Sequence, residues 1–192
     1  MSYDSAATRA RLLDAAYAEF VERGLAGARV ERIAAKAVAN KQAIYAYFGS
    51  KDALFDAVLD TRLRILADLV PFTPDDLPGY VGALFDQLIA DPDLVRLTRW
   101  KALERPDASP GELEAHLTKA GEFATVHGTS TEQAMDAMML GLALAQAWIT
   151  TAPAIRNPDG TAAEARLSRH RAAVLRAAGH LTEAAKDARD PG

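Results

Sequence analysis

The sequence predicts an all-α fold of about nine helices, three short ones at the N-terminus followed by a larger helical bundle. Three observations predict it. Proline stands only at positions 71, 74, 78, 92, 106, 110, 153, 158 and 191, between periodic segments and not inside them. No stretch combines sustained alternation with β-branched enrichment, so no strand is expected. Helix starts are marked by capping residues at the positions where backbone N–H groups lack partners.

Taken in order, the first helix is expected over residues 7–23, where Leu12, Leu13, Ala16, Phe20 and Val21 form an apolar stripe. Gly24 supplies its left-handed stop. A second, short helix over 30–37 buries Val30, Ile33 and Ala34. Asn40 is a good N-cap for a third over 41–48, which Gly49 ends. Ser50 then caps a longer helix whose Leu54, Phe55, Val58, Leu59, Leu63, Leu66 and Val70 keep helical spacing up to Pro71. Further helices are expected near 76–90, 92–105, 110–127, 131–152 and 161–186. Asp91 before Pro92 reads as an N-cap followed by proline at the first helical position. Ser109 with Glu112, Ser130 with Gln133 and Thr161 with Glu164 have the spacing of capping boxes. Residues 153–160, with Asn157-Pro158-Asp159-Gly160, read as a loop.

A chain of 192 residues fits one large or two small domains and can bury a sizeable core. With 49% apolar and 25% charged residues it is ordinary globular material, not a disordered chain. The absence of Cys excludes disulfide scaffolds, thiolate zinc sites and Cys nucleophiles, and fits a reducing compartment. The first twenty residues lack the continuous apolar core of a signal peptide. The longest nearly apolar run, residues 137–149, is too short to span a bilayer. A soluble cytoplasmic protein with no membrane partner is therefore expected.

The net charge of −4 conceals an asymmetry. Between Arg23 and Lys51 stand six basic residues (Arg23, Arg29, Arg32, Lys36, Lys41, Lys51) against one acid, Glu31. From Ile65 onward there are 12 basic and 18 acidic residues. A basic segment on an acidic chain points to a polyanion-binding module, the alternative being a solvated helix face. Geometry favours the former. Residues 29–48 form a candidate helix-turn-helix, in which a second helix enters the major groove while a first crosses the backbone. Ile33, Ala34, Ala37, Ile44 and Phe48 can face inward, leaving Lys41, Gln42, Ala43, Tyr45 and Tyr47 outward or sideways. Lys41 can donate to guanine, Gln42 can pair with adenine, and the Ala43 methyl can pack on thymine, and Asn40 beside them is a further candidate DNA contact. Arg29, Tyr45, Tyr47 and Lys51 can reach phosphates, Lys51 from a helix start that itself favours anions. Simple core packing is the competing use of Tyr45, Tyr47 and Phe48, and it is the reading taken for Phe48.

The run Thr8-Arg9-Ala10-Arg11-Leu12-Leu13-Asp14-Ala15-Ala16, the residues Phe20 to Gly24, Val30, Ile33-Ala34, Tyr45-Ala46-Tyr47-Phe48 and Ser50-Lys51-Asp52-Ala53-Leu54 resemble the N-terminal domain of the TetR family of bacterial repressors. The resemblance covers roughly residues 8–60. It implies a homodimer that binds a palindrome-like double-stranded DNA operator, with C-terminal helices holding the dimer interface and a small-molecule effector pocket. It also implies phosphate contacts at Tyr45 and Lys51, and base reading at Lys41, Gln42 and Ala43. The chain departs from the family where glycine is usual in the turn and Val38 stands instead; a β-branched residue resists positive φ, which predicts a reshaped or strained turn. It also departs at Arg29, where a hydroxyl residue is usual, and at Ala43, where Thr is usual. The expected organisation is a DNA-binding domain over residues 1–50 and a ligand-binding and dimerisation domain over 51–192.

In the C-terminal part, residues 131–152 are apolar around most of a helix, with Ala134, Met135, Met138, Met139, Leu140, Leu142, Leu144, Ala145, Trp148 and Ile149, and must be covered on several sides. With the last helix, and with Gly141, Ala143 and Ala145 permitting close contact, they suit a four-helix dimer interface, an ordinary monomeric core being the alternative. Phe85, Trp100, Glu104, His116, Phe123, Met135, Met138 and Met139 are candidate effector contacts. With Glu104, Asp86, Glu122 and Asp136 as counter-charges, the pocket would favour a lipophilic cation. No HExxH pair, GxSxG, P-loop or dinucleotide turn occurs, so neither catalysis, a metal nor a cofactor is expected. The expected function is a ligand-released repressor. The alternatives are a small-molecule-binding or enzymatic helical protein with a vestigial DNA-binding domain, and an activator or corepressor-dependent regulator.

Overall fold

The structure is a computed structural model that describes residues 2–158 and 163–187. Among them it contains ten helices and no strand. These are α1 (Ser2–Gly27), α2 (Val30–Lys36), α3 (Lys41–Phe48), α4 (Lys51–Leu69), α5 (Leu77–Ala90), α6 (Pro92–Glu104), α7 (Pro110–His127), α8 (Thr131–Thr150), α9 (Pro153–Arg156) and α10 (Ala163–Asp187). The expected capping boxes close at Ser109/Glu112 and Ser130/Gln133, each with both reciprocal hydrogen bonds. The box expected at Thr161 lies outside the described residues. The loop expected over 153–160 is corrected at its start, where Pro153–Arg156 makes one helical turn with the Arg156 N–H donating to the Ala152 carbonyl at 3.0 Å. Proline at the first helical position loses no bond there.

The chain divides into two compact units. One comprises residues 1–66 and 93–107, the other 67–92 and 108–192. This partition differs from a boundary at residue 50, because most of α4 and nearly all of α6 pack with the first three helices. The first unit has one core, built from Leu12, Ala16 and Phe20 of α1, Ile33 of α2, Ile44 of α3, Leu54, Phe55 and Val58 of α4, and Leu97 of α6. Phe20 meets Phe55 edge-on with ring centroids 5.0 Å apart.

The second unit is a bundle in which α5, α8 and α10 pack on one another and α7 packs on α8. Glycine sets two of its closest approaches. A Cβ at Gly82 would stand 2.6 Å from Leu175 of α10, and one at Gly141 would stand 2.9 Å from Val81 of α5. The closeness expected of Gly141 and Ala145 is thus used within the protomer, where both are buried.

Candidate nucleic-acid interface

The helix-turn-helix is assembled from α2, a tight turn and α3. Asn40 caps α3 by accepting the Ala43 N–H at 2.8 Å, and Gly49 ends the helix at φ 80°. Ile44 is fully buried, so it fixes which face of this eight-residue helix turns outward. The turn keeps a left-handed residue although it lacks glycine. Val38 sits at φ 52°, 85% exposed, with the Ala39 N–H donating to the Ala34 carbonyl at 2.9 Å. Strain, and not reshaping, is therefore what the valine brings. Arg11 of α1 supports the same turn, its Nε donating to the Ala37 carbonyl at 3.3 Å.

Lys41, Gln42 and Tyr45 of α3 are exposed, as are Asn40 and Arg29. Lys41 Nζ lies 2.5 Å from Glu31 Oε1 of α2. Ala43 is half-buried and packs against the core, so less of its methyl faces outward than the sequence suggests. Tyr47 packs there too and donates from its hydroxyl to Ser5 Oγ at 3.0 Å. Its polar tip has a partner at the start of α1. Phe48 packs against the core as expected, with the Arg9 guanidinium 5.3 Å from its ring. Lys51 donates from Nζ to the Ala28 carbonyl at 3.2 Å, which holds its charge beside the entry to α2.

Sequence reasoning misses the group that aligns these elements. Glu19 is buried in α1 yet reaches α2, accepting from Arg32 Nε at 2.7 Å and from the Arg29 N–H at 3.1 Å. Burial pushes its carboxyl upward in pKa, but the hydrogen bonds from Arg32 and Arg29 and the charges of Arg32 and Arg23 outweigh it and hold the group below its ordinary range. The only available signal is an acid on the otherwise apolar side of α1.

The candidate effector contacts are divided between the two units. Trp100 and Glu104 lie in the first unit and bond to α1: Trp100 Nε1 donates to the Val21 carbonyl at 3.2 Å, and Glu104 Oε2 accepts from Leu25 and Ala26 N–H groups. The other six lie in the second unit. Phe85 is buried beside His170, and Phe123 is buried against His127, with ring centroids 4.2 Å apart. Met135 and Met138 are half-buried, Met139 is 54% exposed, and His116 is exposed with Nδ1 2.7 Å from its own helix's Glu112 carbonyl. An open cavity of about 260 Å³ lies between α5 and α10, lined by Phe85, Asp86, Ile89, Leu167, Ser168 and Arg171 among others. Asp86 is held there by two hydrogen bonds from Arg171, at 2.7 and 2.6 Å. Among the described residues no helix is long and apolar enough to cross a membrane.

Comparison with known proteins agrees with this geometry. Residues 12–58 match the model of the bacterial regulatory proteins of the tetR family, and residues 76–179 match that of tetracyclin repressor-like C-terminal domains. The chain is 41% identical over 162 residues to the HTH-type transcriptional repressor SCO4008 of Streptomyces coelicolor, covering 80% of this chain and 84% of that protein. It is 45% identical over 102 residues to the HTH-type transcriptional repressor NicS of Pseudomonas putida, covering 47% of this chain and 46% of that one. The crystal structure of the transcriptional regulator SCO4942 from Streptomyces coelicolor superimposes with a TM-score of 0.77 at 33% identity, over 91% of this chain and 97% of that one. With matches that span both units and relatives that are transcriptional regulators and not enzymes, the chain belongs to the tetR family of bacterial regulatory proteins.

Proposed function

We propose that the protein is a cytoplasmic, homodimeric repressor whose two α3 helices enter successive major grooves of a palindromic double-stranded DNA operator, and that a small-molecule effector releases it. The observation that carries this reading is α3 itself: capped by Asn40, anchored by Ile44, and presenting Lys41, Gln42 and Tyr45 to solvent beside Arg29 and Lys51. Side chains of these types suit base edges and phosphates in turn. The left-handed turn kept at Val38 supports a working motif over a vestigial one.

Homodimerisation is supported by α8, which leaves Met139, Leu140 and Leu142 exposed on a helix whose other side is buried. A second copy would cover that stripe, and a two-fold assembly presents the two recognition helices that two half-sites require. An effector is supported by the aromatic groups of the second unit, Phe85, Phe123 and Trp148. With Glu104 bonded to α1 and Asp86 to Arg171, two of the carboxylates that would favour a lipophilic cation are already engaged. We therefore propose an effector of small size without assigning its charge. The release mechanism needs a coupling of only ~1–3 kcal/mol between effector and operator. Helix α4 begins in one compact unit and ends in the other, which makes it one of the covalent routes for that coupling.

The test is selection of genomic fragments by the purified protein, followed by gel shifts and sedimentation. Sub-micromolar binding to a palindromic duplex, with two protomers on each site, is the expected result. A monomer indifferent to duplex sequence overturns the proposal.

A further inference from the structure

Six basic residues between Arg23 and Lys51 share their segment with one acid, Glu31, and that acid is exposed. A lone carboxylate on a surface proposed to meet phosphates works against binding unless it has a use. Its geometry shows one. Glu31 Oε1, on the first turn of α2, lies 2.5 Å from Lys41 Nζ, on the first residue of α3. The side chains are 61% and 47% exposed, so the pair does not serve the core. The hydrogen bond from Lys41 also holds the Glu31 carboxyl below its ordinary range.

We propose that Glu31 is a specificity-determining residue, which restrains the Lys41 ammonium at the start of the recognition helix and repels the phosphates of any duplex that offers Lys41 no base acceptor. This rests on the DNA-binding reading above. A lysine ammonium is a compact charge on a flexible stem, and left free it would settle on the nearest phosphate of any sequence. Held by Glu31, it has one N–H engaged and two remaining, enough for the O6 and N7 acceptors of guanine. On a duplex lacking that guanine, the restrained ammonium gains nothing while the carboxylate still faces phosphates. Specificity then comes from a repulsive element as much as from an attractive one.

The test uses a duplex selected from a random library by the wild-type protein and a scrambled duplex of the same composition, each titrated across a range of salt. Glu31→Gln is expected to tighten binding to the scrambled duplex about threefold to fivefold, the scale of an exposed ion pair. Its salt slope there should steepen by about one unit. Binding to the selected duplex should change less, so discrimination falls. On a Lys41→Gln background the same change should leave discrimination where it was, because no ammonium remains to restrain. Unchanged thermal melting of both variants keeps folding out of the comparison. Equal tightening on both duplexes, or an equal loss of discrimination with and without Lys41, overturns the proposal while DNA binding stands. Failure of the wild-type protein to enrich any duplex overturns the DNA-binding reading and this one together.

Discussion

The Glu104 carboxylate accepts the Leu25 backbone N–H at 2.6 Å, closing across 79 residues the break that Gly24 opens in α1. Gly24 adopts φ 68° and ψ −178°, which interrupts the helical ladder and leaves the N–H groups beyond it without intrahelical acceptors. Glu104 takes the second of them as well, from Ala26 at 3.2 Å. Trp100, one turn earlier on α6, bonds the Val21 carbonyl on the other side of the break. The approach is close because residue 24 has no side chain: a Cβ there would stand 2.7 Å from Glu104 Oε1 and 2.8 Å from the Trp100 ring.

Removing the carboxylate with Glu104→Ala should therefore cost about 1.5–3 kcal/mol, the scale of hydrogen bonds to a charged acceptor. Gly24→Ala should cost as much or more, since it adds a steric clash to a backbone conformation, positive φ with extended ψ, that essentially only glycine adopts, roughly 1–3 kcal/mol for the latter alone. Urea unfolding at neutral pH measures both, and the double variant should lose less than the two losses added, because both act on one contact. A loss under about 0.5 kcal/mol for Glu104→Ala would be that of an ordinary surface change and would leave the clasp without energetic weight.

Val38 gives the opposite sign. It holds φ 52° with 85% of its surface exposed, so its side chain contributes little packing to offset the left-handed backbone. Relief of about 1–2 kcal/mol of backbone strain, set against about 0.4–1 kcal/mol of added freedom in the unfolded chain, makes Val38→Gly stabilising by up to ~1.6 kcal/mol. Chemical denaturation is the direct measurement, and a destabilised glycine variant would refute the strain.

What can be read in the chain follows the range of the interactions. Asn40, Ser109 and Ser130 announce their helices because a cap is a bond between residues three apart, and each forms as spaced. The periodic residues Leu12, Phe20, Ile33, Ile44 and Leu54 reach the core for the same reason. Trp100 and Glu104 are less legible, because an aromatic and an acid on a helix do not announce that they bond a broken helix 79 residues away. Glu19 and Arg32 pair across a turn whose path neither residue encodes. Tyr47 shows the half-legible case: its hydroxyl needs a partner, but the type alone does not say that Ser5 supplies one.

Glu19 also sets a pH dependence. Its folded carboxyl sits below the ordinary value of 4.5, because the bonds from Arg32 and Arg29 and the nearby Arg23 charge overcome the opposing effect of burial. A depressed carboxylate contributes stability that is full well above pH 4.5 and is lost as pH falls through the lower folded value. Urea midpoints should therefore decline below about pH 4.5, and in Glu19→Gln that part of the decline should be absent. The variant should also be weaker at neutral pH, by about 1–3 kcal/mol, since Arg32 loses a charged acceptor. Superimposable pH profiles for the two proteins would assign the acid sensitivity to other groups.

On the proposed DNA interface, Lys51 and Gln42 should fail in different ways. Lys51 begins α4 with its ammonium tethered to the Ala28 carbonyl at 3.2 Å, a position suited to a phosphate and blind to sequence. Lys51→Ala should weaken binding to selected and scrambled duplexes alike and flatten the salt slope by about one unit. Gln42 stands exposed on the second residue of α3, where its amide can form two bonds to one adenine edge. Gln42→Ala should relax preference at a single base position, costing about 1–3 kcal/mol of discrimination there, with the salt slope unchanged. Gel shifts against a panel of single-base operator variants separate the two behaviours. Equal loss for Gln42→Ala on every sequence would place its amide on the backbone and leave base reading to Lys41 and its neighbours.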